Sequence, residues 1–516
     1  MVSTSQDNVL AAQRSAPPTA SNGRRWWALL VLCLGVMMTF VNVSSTISAL
    51  TPLQDDLHIS PSTVVWVSSA FSLAVVSLVL SAGTLSDLVG RRRVFWAGVS
   101  LFTLGSFIAF LAGNAGLLIA AQALMGVGAA AVLPSSLSIV SHTFTDPHER
   151  TGAISVWASC AGLGLAVGPL VAGVLLDQVS WHAVFLTDVV IGLITLVLTP
   201  LLVSESKHPT RRFDSAGVVL GTLAVASATY SIIEGGATGY GKPVIIAAYV
   251  VFAVSLAAFV RVELRHRDPM LELRLFRSAS FTTVMSIGAV TMLSFVGISL
   301  LTVLYLERVA HENALMTGVK LLPMFAAYIV ISAFAARVVR WLGIGATLTA
   351  GLVLMGGGAF ALLAAGPFSG YGAMWPGLFV AGVGSALLVA PSTAAAVNSV
   401  PPLQAGMAAA SVNMFRQLGS VLGPSVLGTL VTTRFPHLLH GRLASAGVPA
   451  GRVDDVVAGI THGGTSHLPA SLAHTVSVAF PQAFTDALHL GWLVAGIVPL
   501  AMTVPTVLFL RRRTAA

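Results

Sequence analysis

The stretch Gly83-Thr84-Leu85-Ser86-Asp87-Leu88-Val89-Gly90-Arg91-Arg92-Arg93 places four charges within eleven residues of a chain that is otherwise poor in them. It separates two apolar runs, 63–85 and 94–113, each close to the roughly 20 residues that cross a bilayer as a helix. Glycine at 83 and 90 permits a tight turn with close helix approach. Asp87 can pair with the arginines or cap a helix N-terminus. Taken alone the stretch is a turn with three positive charges. Its place between the second and third apolar runs gives it weight.

The whole chain has the same character. Of 516 residues, 55% are hydrophobic and 9% charged, and the mean hydropathy is +0.87. A soluble globular chain carries about 25% charged residues, so this one cannot cover a water-facing surface. Soluble enzymes, nucleic-acid binders and disordered scaffolds are excluded. The two cysteines, Cys33 and Cys160, both fall in apolar stretches, which leaves no disulfide framework or CxxC metal site. The net charge of +8 invites a nucleic-acid reading, but the placement of the charges argues for a polytopic membrane protein.

Fourteen stretches satisfy the membrane-span criterion: 26–50, 63–85, 94–113, 116–139, 152–176 and 182–203, then 215–233 and 244–262, then 281–305, 319–339, 346–365, 374–397, 405–432 and 482–510. The tightest junction is the turn at Glu307, Arg308, His311 and Glu312. With both termini cytoplasmic, 20 of the 27 basic residues fall on the cytoplasmic side, as retention of basic loops demands. An odd number of spans would scramble that split. The expected architecture is all-α, with fourteen transmembrane helices arranged 6+2+6. Residues 1–25 read as a disordered cytosolic tail and 26–203 as a six-helix bundle. Residues 204–279 read as a linker with two inserted helices, and 280–516 as a second bundle with an outward loop, 434–481. That loop holds five histidines, His437, His440, His462, His467 and His474. None has ligand spacing to a carboxylate or thiol, so the expectation is a solvated loop and no metal.

The two bundles repeat each other. Gly126-Val127-Gly128 followed by Pro134-Ser135 in the fourth span matches Gly382-Val383-Gly384 followed by Pro391-Ser392 in the twelfth. Gly164, Gly168, Pro169 and Gly173 in the fifth match Gly419, Gly423, Pro424 and Gly428 in the thirteenth. A parallel repeat of six helices is a mark of secondary transporters. Small residues at four-residue spacing let helix backbones pack closely, and Pro169 bends its helix.

On these residues the chain resembles the major facilitator superfamily, whose loop signature is G-x-L-x-D-x-x-G-R-R/K. More narrowly it is similar to the fourteen-helix drug:proton antiporter family. The stretch from Gly164 to Gly173, the run Leu271–Phe281 before the ninth span and Arg416-Gln417-Leu418-Gly419 also fit. The resemblance implies that Gly83, Asp87, Gly90 and Arg91 form a cytoplasmic latch. It further implies that Gly164, Gly168, Pro169 and Gly173 form the antiporter motif of helix five. Two departures stand out. Where the family has an aspartate in helix one this chain has Asn42, and where it has an arginine in helix four this chain has Gln122. An unpaired charge in the bilayer core costs at least about 2.5–3.5 kcal/mol, so losing both members of an acid–base pair is milder than losing one. Asn42 and Gln122 are expected to be a neutral, hydrogen-bonding substitute. The second-half counterpart of the latch loop has Arg340 in place of the aspartate.

Ionisable residues inside spans are functional candidates by default. Asp188, Glu234, Glu307 and Arg416 are therefore the proton-coupling candidates, with Asp188 expected near the outer interface and Glu234 and Glu307 at wetted helix ends. Asn42, Gln122, Trp157, Tyr230, Asn413 and Gln417 are the substrate-cavity candidates. Trp26, Trp27, Trp181 and Trp375 fall where interfacial anchors belong. No GxxxxGK[ST] loop is present, so ATP is not the expected energy source.

The leading reading is a multi-pass cell-membrane exporter of amphipathic drugs or antibiotics, working by alternating access in exchange for protons. Its partners are the small-molecule substrate, protons and the lipid bilayer. No cofactor or nucleic acid is called for, and one chain suffices. An uncoupled facilitator or differently coupled exporter is the alternative. A transporter-like membrane sensor is the reading from another class, and an enzyme is not expected.

Overall fold

The computed structural model describes residues 22–144, 146–206, 214–266, 269, 271–400, 405–462 and 470–510. Within them the first six helices are α1 (Asn22–Leu57), α2 (Pro61–Val89), α3 (Arg91–Phe110), α4 (Ala115–Thr143), α5 (Pro147–Gln178) and α6 (Trp181–Leu202). The pair α7 (Ser215–Thr238) and α8 (Pro243–Glu263) follows, then a short 3₁₀ turn, Leu273–Arg277. The last group is α9 (Ala279–Arg308), α10 (Ala314–Leu342), α11 (Ile344–Ala361), α12 (Trp375–Asn398), α13 (Ala405–Gly423), α14 (Thr429–Ser445), α15 (Ala450–His462) and α16 (Ala470–Leu510). A π-helical turn, Pro424–Gly428, joins α13 to α14. Each of the fourteen apolar stretches lies in this helical order. Asn114, Asp214 and Asn313 open α4, α7 and α10 by accepting backbone N–H groups at 2.8–2.9 Å, which supplies donors that a helix start leaves unmet.

Among the described residues, twelve helices are long and apolar enough to cross a membrane. Two of the fourteen stretches fall outside that number. In α2 only Thr63–Val79 qualifies, as a shorter apolar helix, and the thirteenth stretch is interrupted by the π turn at Pro424. Proline lacks an N–H and clashes with the preceding turn, and the ladder widens there instead of breaking.

The segment 434–481 departs from its expectation as a loop. It carries most of α14, all of α15 and the start of α16. Val453 and Val456 of α15 are buried, and α15 packs on α14. An apolar stripe at three-residue spacing was hidden there among histidines and glycines. Trp181 also departs: it is buried, and its Nε1 donates to Asp56 at 2.8 Å, whereas Trp26, Trp27 and Trp375 are exposed.

The helix pairings repeat. In the first group α1 packs on α5 and α6, α4 on α2 and α3, and α3 on α6. In the last group α9 packs on α13 and α16, α12 on α10 and α11, and α11 on α16. Between the groups α5 meets α10 and α2 meets α13. The glycine pairs explain the pattern. A Cβ on Gly126 would press on α2 at Ala74, and one on Gly128 on α3 at the Phe102 amide. The equivalent Gly382 and Gly384 face α10 at Ala327 and α11 at the Gly351 carbonyl. Each Gly-Val-Gly thus seats one helix between two others at backbone distance.

The pair α7–α8 packs outside this framework, on α2 and α14. Val244, Ile246, Val250 and Val254 along α8 are all exposed, the apolar face of a helix whose solvent is lipid. The ends of the bundle are called proximal, where α1 begins, and distal, where it ends. The Ser280 hydroxyl on α9 donates to the Phe509 carbonyl at 2.9 Å, so α16 ends proximally as well.

Gly128→Leu and Gly384→Leu are each expected to destabilise the protein by about 1–3 kcal/mol through overpacking. Gly357→Leu, where an added Cβ meets nothing within 4 Å, should leave thermal unfolding in detergent nearly unchanged. Equal melting curves for all three would contradict the backbone-contact account.

Candidate functional site

Three adjoining cavities run along one seam between the first and last helix groups. On α1 the lining positions are Thr39, Val43, Thr46, Leu50 and Gln54; on α9 they are Met292, Val296, Leu300, Leu304 and Arg308. On α13, the π turn and α14 they are Gln417, Ser420, Pro424, Gly428, Val431 and Phe435. Steps of three and four place each set on one helix face. Phe71 and Ser72 of α2 close the middle of the seam, and Val64 and Val65 its distal part. The two middle cavities have room for about one water molecule each. The distal cavity is wider, about 170 Å³, room for several water molecules or part of an organic ligand. The π turn lies where the narrow part widens.

In the narrow part Asn42 and Gln122 meet. Asn42 Nδ2 donates to Gln122 Oε1 at 3.2 Å, and Gln122 Nε2 donates to Thr46 Oγ1 at 2.9 Å. Thr46 Oγ1 in turn donates to Asn42 Oδ1 at 3.3 Å. The three side chains are 1–3% exposed, so this closed ring keeps polar groups satisfied at depth without a charge. Gln417 also reaches the seam. Trp157, Tyr230 and Asn413 do not line it. Trp157 Nε1 donates to Ser136 Oγ at 3.1 Å, and Tyr230 packs on Trp66 with ring centroids 6.2 Å apart.

The ionisable candidates are dispersed. Asp188 is fully buried and neither carboxyl oxygen has a hydrogen-bond partner. It stands two turns into α6, whose first residue, Trp181, bonds Asp56 near the end of α1. One turn on, Gly192 admits Thr103 of α3, and Ser106 on the same helix has a buried hydroxyl that is likewise unpartnered. Glu234 accepts from Trp66 Nε1 at 3.1 Å, tying α7 to α2. Both carboxyl oxygens of Glu307 are buried, so its expected wetted end is corrected. Arg416 donates to the Val389 carbonyl, to Ser392 Oγ at 2.9 Å and to Thr393 Oγ1 at 2.6 Å, pinning α13 to α12.

The signature turn has an anchor that the sequence reading did not name. Gly90 has φ 126°, a conformation that suits glycine. Arg92 N donates to Glu205 Oε1 at 3.0 Å, and Arg92 and Arg93 Nε each lie 3.8 Å from Glu205 Oε2. Glu205 caps the N-terminus of α3, where a carboxylate meets the positive end of the helix. The side chain of Asp87 lies outside the described residues. Gly343, with φ 80°, makes the matching turn between α10 and α11. Glu205 escaped the sequence reading because it sits far along the chain in a short link. Its only signal was a lone acid beside a basic turn.

The helix-five glycines do bring helices together. Gly164 and Gly168 lie against α1 beside Val41, with Pro169 between Gly168 and α10. A Cβ on Gly318 of α10 would stand 2.7 Å from the Pro169 carbonyl oxygen. Gly173 closes on Leu315 of α10. The motif therefore sits at a contact between the two helix groups.

The sequence profile of the Major Facilitator Superfamily matches residues 32–424. The multidrug resistance protein Stp of Mycobacterium tuberculosis is 34% identical over 419 residues, spanning 80% of this chain and 77% of that protein. The tetracenomycin C resistance and export protein of Streptomyces glaucescens is 29% identical, spanning 94% and 91%. The multidrug efflux pump LfrA of Mycolicibacterium smegmatis is 32% identical, spanning 80% and 82%. Among solved structures, a bacterial homologue of the human lysosomal transporter Spinster, inward-facing and unoccupied, superposes with TM-score 0.65 at 17% identity, covering 96% of this chain and 100% of that one. The repeated glycine packing, the seam between two helix groups and these matches lead to one assignment: the chain is a multi-pass membrane transporter of the major facilitator superfamily, with relatives that are multidrug and antibiotic efflux proteins.

Proposed function

We propose that the protein exports amphipathic organic compounds, drugs or antibiotics, from the cell by alternating access. In this reading two six-helix bundles, 26–203 and 280–516, rock about the seam. Residues 204–279 join them, and fourteen spans leave both termini cytoplasmic. The observation that carries the proposal is the seam itself. Faces of α1 and α2 meet faces of α9, α13 and α14 along three cavities, mixed and uncharged in the middle and mainly apolar with the single guanidinium of Arg308 at the distal end. That lining suits a bulky amphipath better than a sugar or inorganic ion, which needs denser polar coordination. The Arg308 bridge to Gln54 at 3.0 Å joins α9 to α1 distally, and a rocking cycle has to break it.

Exchange for protons is the coupling we favour, with Asp188 as the carrier. A carboxyl with no partner in the interior is costly to keep, and such groups are functional by default. A second reading has a specific observation behind it. The Asn42–Gln122–Thr46 ring is neutral at the place where the family's titrating pair would stand, and this favours an uncoupled or differently coupled carrier. Purified protein in liposomes under an imposed pH gradient separates the two. With a panel of lipophilic drugs, substrate-driven proton movement read by a pH-sensitive dye should vanish in Asp188→Asn while drug binding persists. Transport that ignores the pH gradient in the unmodified protein would establish the second reading.

Asn42→Asp leaves the ring one donor short and adds a charge worth at least about 2.5–3.5 kcal/mol at depth. Its initial export rate is expected to fall tenfold or more. A faster rate would show that the ring is not a working substitute for the charged pair.

A further inference from the structure

The distal cavity has an uneven charge. Of the residues lining the three cavities of the seam, Arg308 alone is charged. Its guanidinium bonds Gln54 Oε1 and lies 3.7 Å from Asp55 Oδ1. Asp55 is two-thirds exposed, at 66%, and is not part of the cavity wall. The partner of Arg308 is thus a solvated carboxylate, weakly held and replaceable. The same cavity has an aromatic wall. Phe480 and Phe484 are near parallel, at 10° with centroids 5.6 Å apart, and Phe435 stands edge-on to both at 5.3 and 5.1 Å.

Nearer the middle, Arg416 repeats the sign. It adjoins Gln417 of the seam, and its acceptors are the Val389 carbonyl and two hydroxyls. No carboxylate pairs with it among the described residues. A cationic amphipath entering here meets the like charge of Arg308, and the one buried carboxyl nearby, Glu307, stands behind Thr51 and does not line the wall. An anionic one meets a guanidinium, whose planar fork suits a carboxylate, beside rings that accept another ring edge-on or offset.

We propose that the distal cavity binds aromatic organic acids, with Arg308 receiving the acidic group and Phe435, Phe480 and Phe484 receiving the ring. The inference rests on the exporter reading and names its substrate class. An anion leaving a cell that is negative inside moves down the electrical gradient. Such a cargo draws part of its drive from the membrane potential, which fits a neutral ring in the middle of the seam.

The test uses the full chain in liposomes and three probes sharing one pyrene ring: pyrenebutyrate, its amide and a pyrenyl trimethylammonium. Binding is read from pyrene fluorescence and movement from probe flux under an imposed potential. The acid is expected to bind at least tenfold more tightly than the ammonium. Arg308→Gln should weaken the acid about tenfold and leave the amide in place, and Arg308→Lys should recover most of the loss. Asp55→Asn breaks the ion pair but spares the guanidinium, so the acid preference should survive it. Phe484→Ala should weaken all three probes alike. Equal binding of acid and ammonium, or an Arg308→Gln variant that loses acid and amide together, overturns the proposal. Flux of the amide and ammonium with the acid excluded overturns the substrate class and leaves export standing. No flux of any probe overturns the export reading, and this inference with it.

Discussion

Backbone-to-backbone contact at glycine is the constraint on which the rest of this molecule depends. In a bilayer, helices gain nothing by hiding apolar side chains from one another, because lipid is equally apolar, so association rests on close packing and a few polar contacts. Gly126 and Gly128 hold α4 between α2 and α3, and Gly382 and Gly384 hold α12 between α10 and α11. These twin wedges fix each helix group as a unit. Gly164, Gly168 and Gly173 then bring α5 against α1 on one side and α10 on the other. A helix packed tightly both within its group and across to the other can seal one end of the seam.

Rigid groups leave the softer contacts to the seam. Across it the described polar contacts are few: Arg308 with Gln54 and Asp55, and the Ser69 and Ser425 hydroxyls at 3.4 Å. Such pairs exchange readily with water or ligand, whereas a glycine wedge does not. The π turn at Pro424–Gly428 adds a local widening of the ladder at the mouth of the distal cavity. Turns of this kind recur at functional positions. Rigid bundles and a lightly bonded seam together give the two-state element that alternating access requires.

Charge is placed sparingly and always with a partner or a purpose. At the proximal end Glu205 gathers the Arg92 and Arg93 side chains and the Arg92 amide of α3, which makes the signature turn a capped, ion-paired corner of the first helix group. Arg416 donates to three oxygens of α12 through one terminal nitrogen. Asp188 and Glu307 are the exceptions, each with both carboxyl oxygens buried and without a hydrogen-bond partner. Asp188 is fully buried as a residue, and an interior carboxyl is costlier to keep than an unpartnered hydroxyl, which is why we favour it as the coupling candidate.

The sequence by itself determined the class, the apolar stretches, the internal repeat and the pairing of Asn42 with Gln122. Each is written in local pattern: apolar length, glycine spacing and matched departures at two positions. Burial and partnership were decided only by the tertiary structure. Asp188 and Trp181 look like end-of-helix residues along the chain and are interior in space. Glu205 gains its role from a turn more than a hundred residues earlier. The segment 434–481 reads as polar, yet three-residue spacing of valines folds α15 onto α14 beside the cavity. A span's period of 3.6 tells which residues share a face but not what that face meets. Neighbours far apart in sequence supply the answer, and here they set the charge of the seam.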